Sequence, residues 1–105
     1  MNPNPTKEVA RQQGEAKVNK LFEIRNQFMG NSCSDQAERL REALRRFAVS
    51  TLEARRYLDI MHPAGRVQEL RESGVEIQSL RIPQLSEVGK LHRVAFYVLA
   101  QEGRT

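Results

Sequence analysis

Between residues 34 and 99, apolar residues recur first every three or four positions and then at alternate positions. This change of period predicts three short helices followed by a two-stranded hairpin. Leu40, Leu44 and Phe47 stand at i, i+4 and i+7, with Ala37 and Ala43 beside them. They predict a first helix over residues 36–47, capped by Asp35, with Glu38 closing a capping box. On this spacing Arg39, Arg41, Glu42, Arg45 and Arg46 face solvent, and the acids pair with arginines three or four residues away. Ser50 is the next cap, again with a glutamate, Glu53, at the third helical position. Leu52, Ala54 and Leu58 point inward, Arg55 and Arg56 outward, and Tyr57 is partly buried. Ala54 marks a close crossing with the next helix. Asp59 begins a turn. His62-Pro63 opens the third helix, because proline lacks only an N–H that the first helical position does not use. Val67 and Leu70 are its core positions, and Ile60 staples its start. Gly74 ends it in the left-handed conformation that glycine adopts cheaply.

Val75 to Ile82 predicts the outgoing strand, ended by Pro83. Gln84 to Leu91 is a polar turn around Gly89, and His92 to Leu99 returns. The returning strand is apolar on both faces: Val94, Phe96 and Val98 alternate with Ala95, Tyr97 and Leu99. A hairpin strand with one wet face alternates with polar residues instead, so its second face calls for a cover. Upstream, Val18, Leu21, Phe22, Phe28 and Met29 recur at helical spacing, with Arg25 interrupting the stripe and Ile24 off it. Residues 15–30 are therefore expected as an amphipathic helix ended by Gly30-Asn31-Ser32. Leu21, Phe22, Phe28 and Met29 either cover the hairpin or form a dimer seam. Residues 1–14, rich in Asn, Pro and Gln, are expected as a disordered tail, 34–100 as the folded domain and 101–105 as a second tail.

At 105 residues the chain is one mainly α domain with a β-hairpin, an α+β fold with a modest core. Seventeen basic and thirteen acidic residues leave a net charge of +4, divided evenly between the stretches before and after Ser34. That excess is mild, so the distribution of cations matters more than their number. The single cysteine, Cys33, excludes an intramolecular disulfide and a cysteine zinc site, and fits a reducing cytoplasm. Met1 to Gln13 lacks the apolar stretch of a signal peptide. No run approaches the roughly 20 apolar residues of a membrane span. His62 and His92, without paired acids or cysteines, make no metal site. No nucleophile triad, glycine-rich phosphate loop or paired carboxylates stand out. An enzyme, a cofactor and a small-molecule substrate are therefore not expected.

The run L-R-E-A-L-R-R-F-A-V-S-T-L-E-A-R-R-Y-L-D-I-M-H-P-A-G-R-V-Q-E-L-R-E-S-G-V-E-I, followed by R-V-A-F-Y-V-L, resembles a family of small winged helix-turn-helix domains. Its members occur in bacteriophage, prophage and plasmid-borne bacterial proteins. The resemblance covers residues 38–99, and E-L-R-x-x-G is its most specific part. It implies a winged helix and, by analogy, binding of double-stranded DNA. The expected role is a phage-type regulator or a replication or excision accessory factor, and because the mild charge of one domain makes few phosphate contacts, a homodimer on two half-sites is expected. A protein-interaction adaptor is the alternative, because winged helices host many roles.

In such a fold the third helix, about 63–73, enters the major groove and the wing, 83–92, lies on the backbone. Base readers then come from His62, Gly65, Arg66, Gln68, Glu69 and Glu72, since arginine pairs with guanine, glutamine with adenine, and glutamate with the cytosine amino group. Glu69 and Glu72, whose charge repels phosphate, better suit salt bridges to Arg66 or Arg56. Arg66 and Arg71 equally suit ties from the third helix to its neighbours. Phosphate contacts are expected from Thr51 and Arg55 at the start of the second helix, and from Lys90, His92 and Arg93 in the wing.

Overall fold

The computed structural model describes the backbone of residues 5–85 and 88–102, and the side chains of 14–83 and 88–102. In chain order the elements are α1 (Pro5–Gln27), α2 (Cys33–Leu44), β1 (Val49–Ser50), α3 (Thr51–Tyr57), α4 (Pro63–Glu72), β2 (Glu76–Leu85) and β3 (Leu91–Gln101). Four helices are present, as expected of an N-terminal helix and a trio, but the antiparallel sheet has three strands rather than the two of the expected wing, because Val49–Ser50 adds β1.

Local chemistry sets the helix ends. The capping box of α3 forms as the spacing predicts: Glu53 N–H donates to Ser50 Oγ and Ser50 N–H to Glu53 Oε1, both at 3.0 Å. Pro63 opens α4. Gly74 follows it with φ +102°, a value that a side chain would strain. The cap of α2 is a correction. Ser32, not Asp35, caps it by accepting from Asp35 N–H at 3.0 Å, so the helix starts and stops three residues earlier than 36–47. Ser32 also donates to Asp35 Oδ2 at 2.7 Å, so the aspartate supports the cap from within the first turn, where a negative charge suits the helix dipole.

Helix α1 begins at Pro5, within the stretch expected to be a disordered tail. Proline suits a first helical position, and the Lys, Glu, Ala, Arg and Gln that follow are good helix formers even with little to bury. Residues 1–4 lie outside the described part. At the other end, Gln101 still belongs to β3, and Glu102 accepts from Arg45 Nε at 2.6 Å and Arg41 Nε at 3.3 Å. The tail expected from 101 is tied to α2 at least that far, and residues 103–105 lie outside the description.

The core gathers Leu21, Ile24, Leu40, Leu58, Ile60 and Val67, each at most 1 % exposed. Ile24, read from the sequence as off the stripe, is on it: 21, 24 and 28 form an i, i+3, i+7 row. Helix α1 packs on α2 and α3 rather than over the wing. Leu21 is enclosed, Phe22 meets Tyr57 edge to face at 5.5 Å between centroids, Phe28 rests on the core, and Met29 is exposed. Lys17 reaches the sheet. Its ammonium donates to the Ala48 carbonyl at 2.8 Å, pairs with Glu53 at 3.0 Å and stands 5.9 Å from the Phe96 ring centroid.

Arg39 is the largest departure from the sequence expectation. It was placed on the solvent face and is 1 % exposed. The α1–α2 connection folds over it, and its guanidinium donates to the carbonyls of Phe28, Gly30 (2.6 Å) and Asp59 (3.2 Å). Burial lowers its proton affinity, although Asp59 and Asp35 work against that shift. A Cβ at Gly30 would meet the Asp35 carboxylate, which would have to swing away.

In the sheet the strand order is β1-β3-β2, which makes β3 central. Of its two apolar rows, Ala95, Tyr97 and Leu99 pack on the core, whereas Val94, Phe96 and Val98 stand on the other face and are only partly buried. Pro83 does not end β2. It pairs with Arg93, and the strand continues to Leu85. Among the described residues the outer side of β2 faces no strand, so a missing N–H is tolerated there.

Candidate nucleic-acid interface

Residues opposite one another in an antiparallel pair share a face, and the faces alternate along each strand. The register Val49↔Tyr97, Ser79↔Tyr97 and Ile77↔Leu99 defines the face that packs on the helices, with Val49, Ile77 and Tyr97 buried. Continued outward, Arg81↔Ala95 and Pro83↔Arg93 put Arg81 and Arg93 on that same face, where it projects beyond the core. Both arginines are exposed and make no ion pair among the described residues.

Helix α4 meets the base of this face. Arg71 donates to the Ile77 carbonyl at 2.8 and 3.1 Å and to Ser79 Oγ at 3.1 Å, tying the end of the helix to the root of the wing. Arg71, Arg81 and Arg93 therefore form a cationic strip from the end of α4 along the wing. Arg81 was not singled out from the sequence. Its signal was its register relative to Arg93, which becomes readable only when β2 is known to run through Pro83.

The exposed polar groups of α4 largely satisfy each other. Arg66 Nε donates to Glu69 Oε1 at 3.1 Å, and the Arg66 side chain is only 12 % exposed. Gln68 Nε2 donates to Glu72 Oε1 at 3.1 Å, with both residues exposed. His62 occupies the N-cap position without a side-chain cap bond and is exposed, and Gly65 is half-buried. Among the candidate phosphate ligands, Thr51 turns toward β3, donating to the Ala95 carbonyl at 3.4 Å, and Arg55 Nε donates to the Met61 carbonyl at 3.4 Å. Lys90 is exposed in the turn, whose residues 86 and 87 lie outside the description. His92 is opposite Gln84, on the other face of the wing from Arg93. The site residues thus divide: α4 with Arg71, Arg81 and Arg93 on one side, His92 on the other face of the wing, and Thr51 tied to the β3 backbone.

Helix-turn-helix connectivity, a capped α3, a proline-started α4 and a hairpin wing are now all in place. Residues 35–102 match the family model described as winged helix-turn-helix domain. The chain belongs to that family. No curated protein and no solved structure matches it. A winged helix-turn-helix domain suggests a DNA partner and is typically a non-enzymatic module. Among the described residues, no helix is long and apolar enough to cross a membrane, and no three His, Cys, Asp or Glu residues cluster as metal ligands.

Proposed function

We propose that this winged helix-turn-helix domain binds double-stranded DNA, with α4 in the major groove and the wing along the adjacent backbone. The observation that carries this reading is the cationic strip of Arg71, Arg81 and Arg93 on the side of the sheet to which α4 belongs. Exposed guanidinium groups neutralise phosphate and release counterions. Gln68 is the base reader of α4, exchanging its bond to Glu72 for an adenine edge. Arg66, mostly covered and held by Glu69, positions the helix. The few cations on this side make a single domain a weak binder, which supports use of two half-sites. The role is that of a small regulator, or a replication or excision accessory factor, of the phage, prophage or plasmid type.

An adaptor role is the second reading, favoured by the pairing of Arg66 with Glu69 and of Gln68 with Glu72, which leaves α4 nearly neutral. Selection of bound duplexes from a random DNA pool at physiological salt separates the two. DNA binding gives an enriched motif whose affinity falls steeply with salt. An adaptor gives no enrichment.

A further inference from the structure

The wing has two unlike faces. Opposite Arg81 and Arg93, the pairs Leu80↔Phe96 and Ile82↔Val94 place four apolar side chains in one patch, extended at its root by Val98. Leu80 is 51 % exposed and Ile82 38 %. Phe96, Val94 and Val98 are partly exposed and are not among the residues packed against the core. Lys17 of α1 reaches the Phe96 end of the patch. A backbone phosphate lying on the basic face does not cover this patch, because the two lie on opposite sides of the same two strands.

We propose that the patch is a contact between neighbouring copies of this chain bound to DNA, apolar wing face against apolar wing face. The inference rests on the DNA-binding reading above. The area selects both the occupant and the circumstance. The exposed parts of these side chains amount to a few hundred Å², roughly the largest apolar patch a monomer ordinarily carries. A standard stable interface buries about 800 Å² on each partner, so this patch alone is too small to hold two free molecules together. Two copies held on one duplex meet at an effective concentration near the millimolar range, where a small self-complementary contact suffices. The same face is presented by both copies, so one set of residues serves both sides. The contact supplies the second half-site that the mild charge of a single domain calls for.

The experiment compares duplexes carrying one copy, or two copies, of the motif selected from the random pool. The two-copy duplexes are spaced in single-base steps over about one helical turn of 10–10.5 base pairs. At the best spacing, two-copy duplexes are expected to fill with about tenfold cooperativity. Leu80→Gln with Ile82→Thr is expected to abolish that cooperativity while leaving one-copy affinity, circular dichroism and Tm unchanged. Leu80→Met, which keeps the patch apolar, is expected to retain it. One-copy binding with independent filling at every spacing overturns the proposal and leaves the DNA reading intact. A free dimer that survives the double substitution also overturns it, by placing the contact elsewhere. Failure of the wild-type chain to bind the one-copy duplex removes the DNA reading, and this inference with it.

Discussion

Arg39 in the helical body and the Arg81–Arg93 pair on the wing are the same residue type in opposite circumstances. Arg39 is enclosed, donates to three backbone carbonyls and holds the α1–α2 connection to the turn before α4. Arg81 and Arg93 are exposed, without ion pairs among the described residues. A buried guanidinium serves the fold because leaving its carbonyl partners unsatisfied is expensive. An exposed one adds little to stability and remains available to a phosphate. The charge count of the chain conceals this division, and the body and the wing should respond differently to the same substitution.

The largest effect is expected at Arg39. Arg39→Ala strands the carbonyls of Phe28, Gly30 and Asp59 and should cost roughly 3 kcal/mol or more in urea denaturation. Arg39→Lys should recover only part, because an ammonium lacks the planar fork. An unchanged midpoint for Arg39→Ala would break the comparison. The wing should do the reverse. Arg81→Ala with Arg93→Ala should leave stability within about 0.5 kcal/mol. It should weaken binding to every duplex by roughly 2 kcal/mol and flatten the salt slope by about two contacts. Titrations at several salt concentrations check this. A loss confined to one sequence would instead make these arginines base readers.

Gln68→Ala sharpens the contrast within the DNA-facing side. It should relax preference at one base pair by about 1 kcal/mol, the low end for a side-chain contact, since Gln68 first gives up Glu72. Competition among single-base variants of the selected site measures it. The smallest effect is expected at Glu102. Hydrogen bonding to Arg45 holds its carboxylate below the usual glutamate value. A lowered folded-state value stabilises the protein above the unfolded value, and that contribution disappears as pH falls through the folded value. Tm should therefore exceed that of Glu102→Gln at neutral pH, and the two curves should converge in acid.

Much of the helical trio was legible in local chemistry. The Ser50–Glu53 box, Pro63 at a helix start and Gly74 at positive φ are decided by neighbours within a few residues, and each forms as the spacing predicts. Ser32 and Asp35 are both good caps three residues apart, and the sequence does not rank them. Val49–Ser50 was missed because a two-residue strand has no period of its own; its partners, Phe96 and Tyr97, lie far along the chain. Pro83 reads as a strand end in the sequence because edge position, which excuses its missing N–H, is a property of the sheet.

The candidate site divides in the same way. The sequence by itself determined the order of the helices and the wing and the residue types on α4 and the wing, because these follow from short-range periodicity and steric preference. Only the tertiary structure decided that Arg39 is enclosed, that Arg81 joins Arg93, and that His92 lies on the opposite face. Each of those outcomes depends on strand register or on packing between distant segments. A shift of one residue in either reverses which side of the molecule a side chain faces.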